Sequence, residues 1–317
     1  MNMRKFIKKT ILFIVVLLSF ALLFDIIVSI GLKKTERGHF YTFNKLMNDT
    51  LNNDILIMGN SRASCSYSPL IIDTVLHADS RNIGVSGQPF GISHLRFKIY
   101  KRKNINPKMI ILNIDYCELK MFNNGFEREQ YYPYILDKDI KKILKANSFN
   151  WIDVHCPMYR YRGNYKLIVI GLSELFGIFH DTKGDYYKGY SSSSETFDGI
   201  KLQNILSDNK KIENQFDNEA VDLFRKFCKE ITEDSIQLVF CYAPLYKMLY
   251  ENLVQDSIMQ IYYEMSEKYS IPLLDYTTDP MCSDTSFFKD SNHLNKKGSE
   301  LFTTKLCHDI DSLHLMN

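Results

Sequence analysis

The chain has 317 residues, 45% of them hydrophobic and 24% charged, which suffices to bury a full core in one large domain. A formal net charge of +2 carries no clustered basic excess, so a nucleic-acid partner is not expected. Seven cysteines show no C-x-x-C pair and no neighbouring histidine cluster, which excludes the usual spacing of a metal centre and calls for no cofactor.

At the N-terminus, Arg4, Lys5, Lys8 and Lys9 precede an apolar run from Ile11 to Leu32 whose only polar side chains are Ser19, Asp25 and Ser29. That run is long enough to span a hydrocarbon core. The basic flank favours a cytoplasmic N-terminus and an exported remainder. Asp25 is costly at mid-bilayer and tolerable near the interface. A cleaved signal peptide is the alternative, with Ser29 and Gly31 as the small residues before the cut. Residues 1–32 are thus read as tail and anchor, 33–53 as a membrane-proximal stalk or first helix, and 54–317 as the main domain.

Beyond residue 53, short apolar runs alternate with amphipathic stretches. The pattern predicts strands at Asp54–Met58, Arg81–Ile83, Met109–Ile114, Gln237–Tyr242 and Ile271–Asp275. Helices are predicted at Pro69–His77, Ile92–Lys101, Phe216–Ile231 and Leu245–Tyr269, with a last one from Asn295 that turns Leu301, Phe302, Leu306 and Ile310 inward. Cys228 and Cys241 read as core positions on a helix and a strand. The odd cysteine count leaves at least one thiol unpaired, and pairing of the others stays open. Strands alternating with helices imply a parallel sheet covered on both faces, which binds its ligands beyond the carboxyl ends of the strands. Ser61, the Gly84–Gly87 turn and an Asp-x-x-His loop each follow a predicted strand, so all three fall on that edge. The stretch from about 116 to 214 breaks the rhythm. It is rich in aromatics (Tyr131, Tyr132, Tyr134, Trp151, Tyr161 and Tyr165 among them), carries a Ser191–Ser194 run, and reads as an inserted cap or substrate platform.

Two segments carry the chemistry. Asp54-Ile55-Leu56-Ile57-Met58-Gly59-Asn60-Ser61-Arg62 is an apolar strand that breaks at a Gly and presents a Ser at the start of a helix, where positive potential gathers and the Ser61 backbone N–H can face an oxyanion. In Lys289-Asp290-Ser291-Asn292-His293-Leu294-Asn295-Lys296-Lys297-Gly298, Asp290 can accept the Nδ1 proton of His293 and leave Nε2 as a base. Each has a bland reading: Ser61 as a helix cap, Asp290 and His293 as residues of a helix start. The other histidines, among them His77, His94, His155, His180, His308 and His314, have no comparable context. Arg62 reads as an exposed residue opening a helix, with contact to an anionic substrate as the alternative.

Together the two segments resemble the SGNH (GDSL) hydrolase superfamily, in which a Ser block comes first and an Asp-x-x-His block last. The continuation His293-Leu294-Asn295-x-x-Gly298, followed by Phe302, matches the family pattern, and Asn82-Ile83-Gly84-Val85-Ser86-Gly87 is similar to its Asn-x-Gly-x-x-Gly turn. The resemblance implies an α/β, flavodoxin-like three-layer αβα fold with a five-stranded parallel sheet. It implies a catalytic triad of Ser61, Asp290 and His293, and an oxyanion hole from the backbone of Ser61 and Gly87. The family's third block, Gly-x-Asn-Asp, has no clear match in Leu112-Asn113-Ile114-Asp115-Tyr116-Cys117-Glu118. Block one departs as well, with Asn60 for the usual Asp and Arg62 for the usual Leu. Membrane-anchored relatives that modify envelope polymers vary at these places, which points to that group over a secreted lipase. The expected function is therefore a serine esterase or O-acyltransferase acting on acyl esters, acetyl above all, of a cell-envelope glycan or glycolipid. A membrane acyl-donor protein is a further partner that the resemblance allows. A non-catalytic glycan-binding or assembly subunit of the same fold is the alternative that the weak third block keeps open.

Overall fold

Ile-Leu-Ile-Met, Met-Ile-Ile-Leu-Asn and Gln-Leu-Val-Phe-Cys-Tyr form the three central strands of a sheet, and almost every side chain in them is sealed from solvent. Near-continuous apolar runs are what a parallel strand needs when helices cover both of its faces. The computed structural model describes residues 3–121, 127–146, 149–178, 186–207, 211–213 and 215–316, so His180 and Asn214 lie outside the described residues. In chain order, helices α1 (Met3–Leu32) and α2 (Gly38–Asn48) precede strand β1 (Ile55–Met58). Helices α3 (Ser61–Ser66) and α4 (Pro69–Leu76) lead to β2 (Ser80–Asn82), and α5 (Phe90–Tyr100) leads to β3 (Met109–Asn113). Helices α6 (Lys138–Ala146), α7 (Trp151–His155), α8 (Tyr165–Phe176), α9 (Ile200–Ser207) and α10 (Asn218–Glu233) follow. Then come β4 (Gln237–Tyr242), α11 (Lys247–Tyr250), α12 (Asp256–Tyr269), β5 (Leu273–Asp275) and α13 (Lys296–Ser312).

The sheet has five strands in the order β2-β1-β3-β4-β5, all parallel, which is the flavodoxin-like doubly wound order. Ile55 pairs with Ser80 on one side and Met109 on the other, Met109 with Gln237, and Phe240 with Leu273. The edge strands are three residues long and more polar, which limits their use as templates for another chain. One core gathers Ile57, Ile111 and Val239 with Phe302, Leu306 and Ile310 of α13. A second gathers Phe90, Phe97, Phe224, Phe227, Phe240 and Tyr262 in edge-on and tilted ring pairs.

Two expectations change. Leu245–Tyr269 is not one helix: Leu253–Val254 pairs in parallel with Ile212–Glu213, and that ladder breaks the helix between α11 and α12. On α13, Phe302, Leu306 and Ile310 are buried as expected, but Leu301 is 49% exposed because it lies about 100° around the helix from that stripe. All seven cysteines are free thiols, with Cys228 and Cys241 in the core.

The chain divides into two compact units: residues 1–44 with 127–182, and residues 45–126 with 183–317. The second contains the sheet. The first is built around the end of α1, the one helix among the described residues long and apolar enough to cross a membrane. Its C-terminal turns are packed, not bare. Asp25 forms a buried ion pair with Arg160 and accepts the Met158 N–H at 2.7 Å, and Ser29 Oγ meets Tyr161 OH at 2.9 Å. Gly31 and Gly171 let α1 and α8 touch backbone to backbone: a Cβ on Gly31 would fall 1.7 Å from the Gly171 carbonyl oxygen. Tyr131, Tyr132, Tyr134 and Tyr161 are core residues of this unit, with Tyr131 and Tyr134 edge-on to Phe43.

Candidate active site

The turn after β1 is a steric necessity. Gly59 has φ +138°, and a Cβ there would meet the Ala63 Cβ at 2.9 Å and the Asn113 Cβ at 3.0 Å. Asn60 then caps α3, its side-chain oxygen accepting the Arg62 N–H at 2.9 Å. Ser61 becomes the first helical residue, with its hydroxyl beyond the end of the strand. Since α3 has only six residues, its dipole is smaller than the Ser-to-helix pattern suggests.

The Asp-x-x-His segment closes its own turn. Asp290 Oδ1 accepts the backbone N–H of Asn292 at 2.8 Å and of His293 at 3.0 Å. His293 Nδ1 lies 2.9 Å from Oδ1 and 3.0 Å from Oδ2 of the same carboxylate. Burial pushes the Asp290 carboxyl up, but the hydrogen bond and charge of His293 and the two backbone donors outweigh it and hold it below the usual carboxylate range. On the other side of the ring, His293 Nε2 is 2.8 Å from Ser61 Oγ. With Nδ1 protonated towards Asp290, Nε2 is the acceptor of the Ser61 hydroxyl. Residues 232 positions apart therefore complete one hydrogen-bonded chain, Ser61–His293–Asp290.

The Asn82–Gly87 turn is tied to the same edge. Asn82 Nδ2 donates to the carbonyls of Ala63 (2.7 Å) and Tyr67 (3.1 Å), its Oδ1 accepts the Gly84 N–H (2.9 Å), and Val85 N–H donates to the Gly59 carbonyl (3.0 Å). Gly87 occupies the left-handed region of that turn at φ +65°.

After β3 the arrangement takes a form of its own. Asn113 is sealed in the strand and its side-chain oxygen accepts the Tyr67 hydroxyl at 2.8 Å, so it does not face Ser61. The following Asp115 is buried and binds block one: Oδ2 accepts Asn60 Nδ2 at 3.0 Å and lies 3.1 Å from Arg62 Nη1. The other arm of the guanidinium donates to the Ala243 and Pro244 carbonyls, and its plane sits 5.1 Å from the centre of the Tyr242 ring. Arg62 is thus 2% exposed, which corrects the expectation of an exposed residue. The α3 turn sends it under the ends of β3 and β4, where unpaired carbonyls and Asp115 receive it. Asn60, Arg62 and Asp115 therefore form one polar cluster beneath the Ser61 turn. Beside it, burial first and the Asp115 charge second push the Glu118 carboxyl well above its ordinary range.

Further residues reach the triad loop that the sequence did not single out. Tyr116 OH donates to Asn292 Oδ1 at 3.0 Å. Asp198 N–H donates to the Lys289 carbonyl at 2.7 Å, and Lys296 N–H donates to the Ser193 carbonyl at 2.6 Å. The Ser191–Ser194 run and its continuation to Asp198 thereby flank the Asp-x-x-His loop, with the Phe197 ring tilted against Tyr246 at a centroid distance of 5.0 Å. Only the aromatic and Ser-rich composition of the insertion hinted at this. A cavity of about 460 Å³ lies at the opposite ends of the strands, lined by Ile236, Gln237 and Ile271, away from Ser61. Among the described residues no three His, Cys, Asp or Glu side chains gather as a metal-binding group.

No family model matches this chain, and no curated protein matches it. Among solved structures, a Bacteroides fragilis protein described as a "putative acylhydrolase" aligns over 80% of this chain and 86% of its own, with 9% identity and a TM-score of 0.36.

Proposed function

We propose that this chain is a membrane-anchored serine esterase or O-acyltransferase of the SGNH type. The observation that carries the reading is the 2.8 Å approach of His293 Nε2 to Ser61 Oγ, with His293 Nδ1 on the Asp290 carboxylate. As Ser61 Oγ bonds to an acyl carbon, His293 Nε2 takes its proton, and Asp290 stabilises the imidazolium that forms. The carbonyl oxygen becomes an oxyanion facing the backbone N–H groups of Ser61 and Gly87. His293 then returns the proton to the departing alkoxide, leaving an acyl-Ser61 ester. In the esterase, water activated by His293 releases the acid. In the transferase, a sugar hydroxyl takes the acyl group.

The substrate class proposed is acyl, chiefly acetyl, esters of a cell-envelope glycan or glycolipid, on the extracytoplasmic side. In the transferase version the acyl group would come from a membrane acyl-donor protein. Retention of α1 as an anchor is supported by its packing: cleavage near residue 30 would strip the first unit of buried Val28 and leave Arg160 without Asp25. The basic residues before α1 favour the orientation given. A second reading, a non-catalytic glycan-binding or assembly subunit, is favoured by one observation: Asn113 is fully buried within β3, so its amide N–H₂ group is not offered to a substrate as an oxyanion donor. A fluorophosphonate probe on the purified full-length protein separates the two. Labelling that maps to Ser61 and vanishes in Ser61→Ala supports the enzyme; an unlabelled, folded wild type leaves the binding subunit.

A further inference from the structure

The first unit carries large apolar side chains on its outside. Leu136 is 85% exposed, Trp151 73%, Tyr165 71% and Phe176 68%. Soluble monomers seldom leave such a group uncovered. What covers it here follows from its position along α1. The unit grips that helix over its last turns and just beyond: Asp25 with Arg160, Ser29 with Tyr161, Gly31 with Gly171, and Arg37 with Glu174 at 3.2 Å. A hydrocarbon core is crossed by about 20 helical residues, so a span that begins near Ile11 leaves the core near Ile30. The exposed side chains therefore belong to the outer boundary of the bilayer, where Trp and Tyr concentrate.

A groove of about 290 Å³ lies in the same unit between α1 and the segment that carries α7. Leu22, Ile26 and Ile30 of α1 line it on one side and Leu136, Val154 and Pro157 on the other, with Lys33 and the buried Asp25–Arg160 pair also in its lining. Leu22, Ile26 and Ile30 are also 52%, 46% and 42% exposed, so the groove wall is continuous with the bare apolar face of α1. The medium that bathes that face reaches the groove along Leu22, Ile26 and Ile30, while the paired Asp25 and Arg160, with Ser29 and His155, make the polar part of its lining.

We propose that this groove binds an acyl chain of a bilayer lipid, and that the first unit is seated in the membrane interface and not held above it. The proposal rests on the anchor reading of α1 and is independent of any chemistry at Ser61. It makes the protein a reader of its own membrane: the lipid in the groove and the exposed aromatics fix the height and tilt of the first unit.

Trp151 is the single tryptophan of the chain and sits on the helix that supplies Val154, so its fluorescence reports on the groove. Full-length protein is reconstituted into nanodiscs of phosphatidylcholine and phosphatidylglycerol, with or without bromine on the acyl chains. Brominated lipid is expected to quench Trp151 about twofold or more, while aqueous acrylamide quenches it weakly. Leu136→Asp puts a charge on an exposed groove wall without touching the core, and is expected to remove about half of the bromolipid quenching. Leu70→Asp, on α4, leaves the quenching unchanged. Strong acrylamide quenching without bromolipid quenching, in protein retained by the disc, overturns the proposal while sparing the anchor. Protection from both quenchers means a protein partner covers the surface and also overturns it. Protein that does not enter the disc overturns the anchor reading together with this one.

Discussion

Arg62 Nη1 lies 3.1 Å from Asp115 Oδ2, with both side chains almost fully sealed from solvent. This pair joins the residue after Ser61 to the residue that ends the β3 connection. Removing one partner of such a pair strands the other charge in the interior, which costs about 3–5 kcal/mol. Arg62→Met is expected to destabilise the full-length protein by that order in urea denaturation. Arg62→Lys should fall between, because an ammonium cannot serve Asp115 and the Ala243 and Pro244 carbonyls with one planar fork. Arg62→Met combined with Asp115→Leu should cost less than the sum of the two singles. A loss below about 1 kcal/mol in Arg62→Met would mean that the pair does not hold the turn.

Ser61→Ala and His293→Ala are each expected to lower turnover of an activated acetyl ester by about 10⁴-fold or more, and the double variant little further. Asp290→Asn should cost less, on the order of 10²–10³-fold. The amide oxygen can stay at the Oδ1 position, held by the backbone N–H groups of Asn292 and His293, and still accept from Nδ1. Steady-state kinetics with circular dichroism as the folding control decide this. Wild-type turnover in Ser61→Ala would move the activity to another residue.

Glu118 couples stability to pH in an unusual direction. Its raised folded pKa means that the folded protein keeps a proton that the unfolded chain releases at about pH 4.3. The stabilisation is therefore complete below that value and declines as pH rises towards the folded pKa. Glu118→Gln keeps a neutral group in place and removes the penalty. The gain in melting temperature over wild type is expected to be small near pH 4, to grow as pH rises above it, and to level off once the folded pKa is passed. A variant less stable than wild type at pH 8 contradicts this assignment.

At the α1–α8 crossing, a side chain on Gly31 has nowhere to go. Gly31→Val is expected to break the packing of Val28 and Leu32 against Gly171, at a cost of about 3 kcal/mol or more. Gly38→Ala serves as the comparison, since a Cβ there meets nothing within 4 Å and only the positive φ of +47° opposes it. Limited proteolysis within residues 149–178 reads the difference. Equal protection in both variants would mean that α1 and α8 do not cross at these glycines.

Intact-mass analysis of the protein from its native membrane is expected to show α1 retained. A new terminus near residues 30–33 would identify a cleaved signal and remove the buried partner of Arg160.

By itself the sequence determined what depends on neighbours along the chain. β1, β3 and β4 were legible because unbroken apolar runs of this length fit only a strand covered on both faces. The Gly59 turn was legible because only glycine bears its dihedral angles, and the Asp290–His293 pair because a carboxylate three residues before the ring closes a local turn. The tertiary structure decided everything that depends on which surfaces meet. It brought Ser61 to His293, buried Arg62 against Asp115, and turned Asn113 away to Tyr67. It broke the 245–269 helix on a ladder with Ile212–Glu213 and drew Tyr131, Tyr132, Tyr134 and Tyr161 of the insertion into a unit built on the end of α1. Side-chain periodicity fixes which face of an element is apolar, but the partner of that face is chosen by long-range packing, in which polar residues such as Arg62 and Asp25 are buried only because a counter-charge arrives from a distant segment.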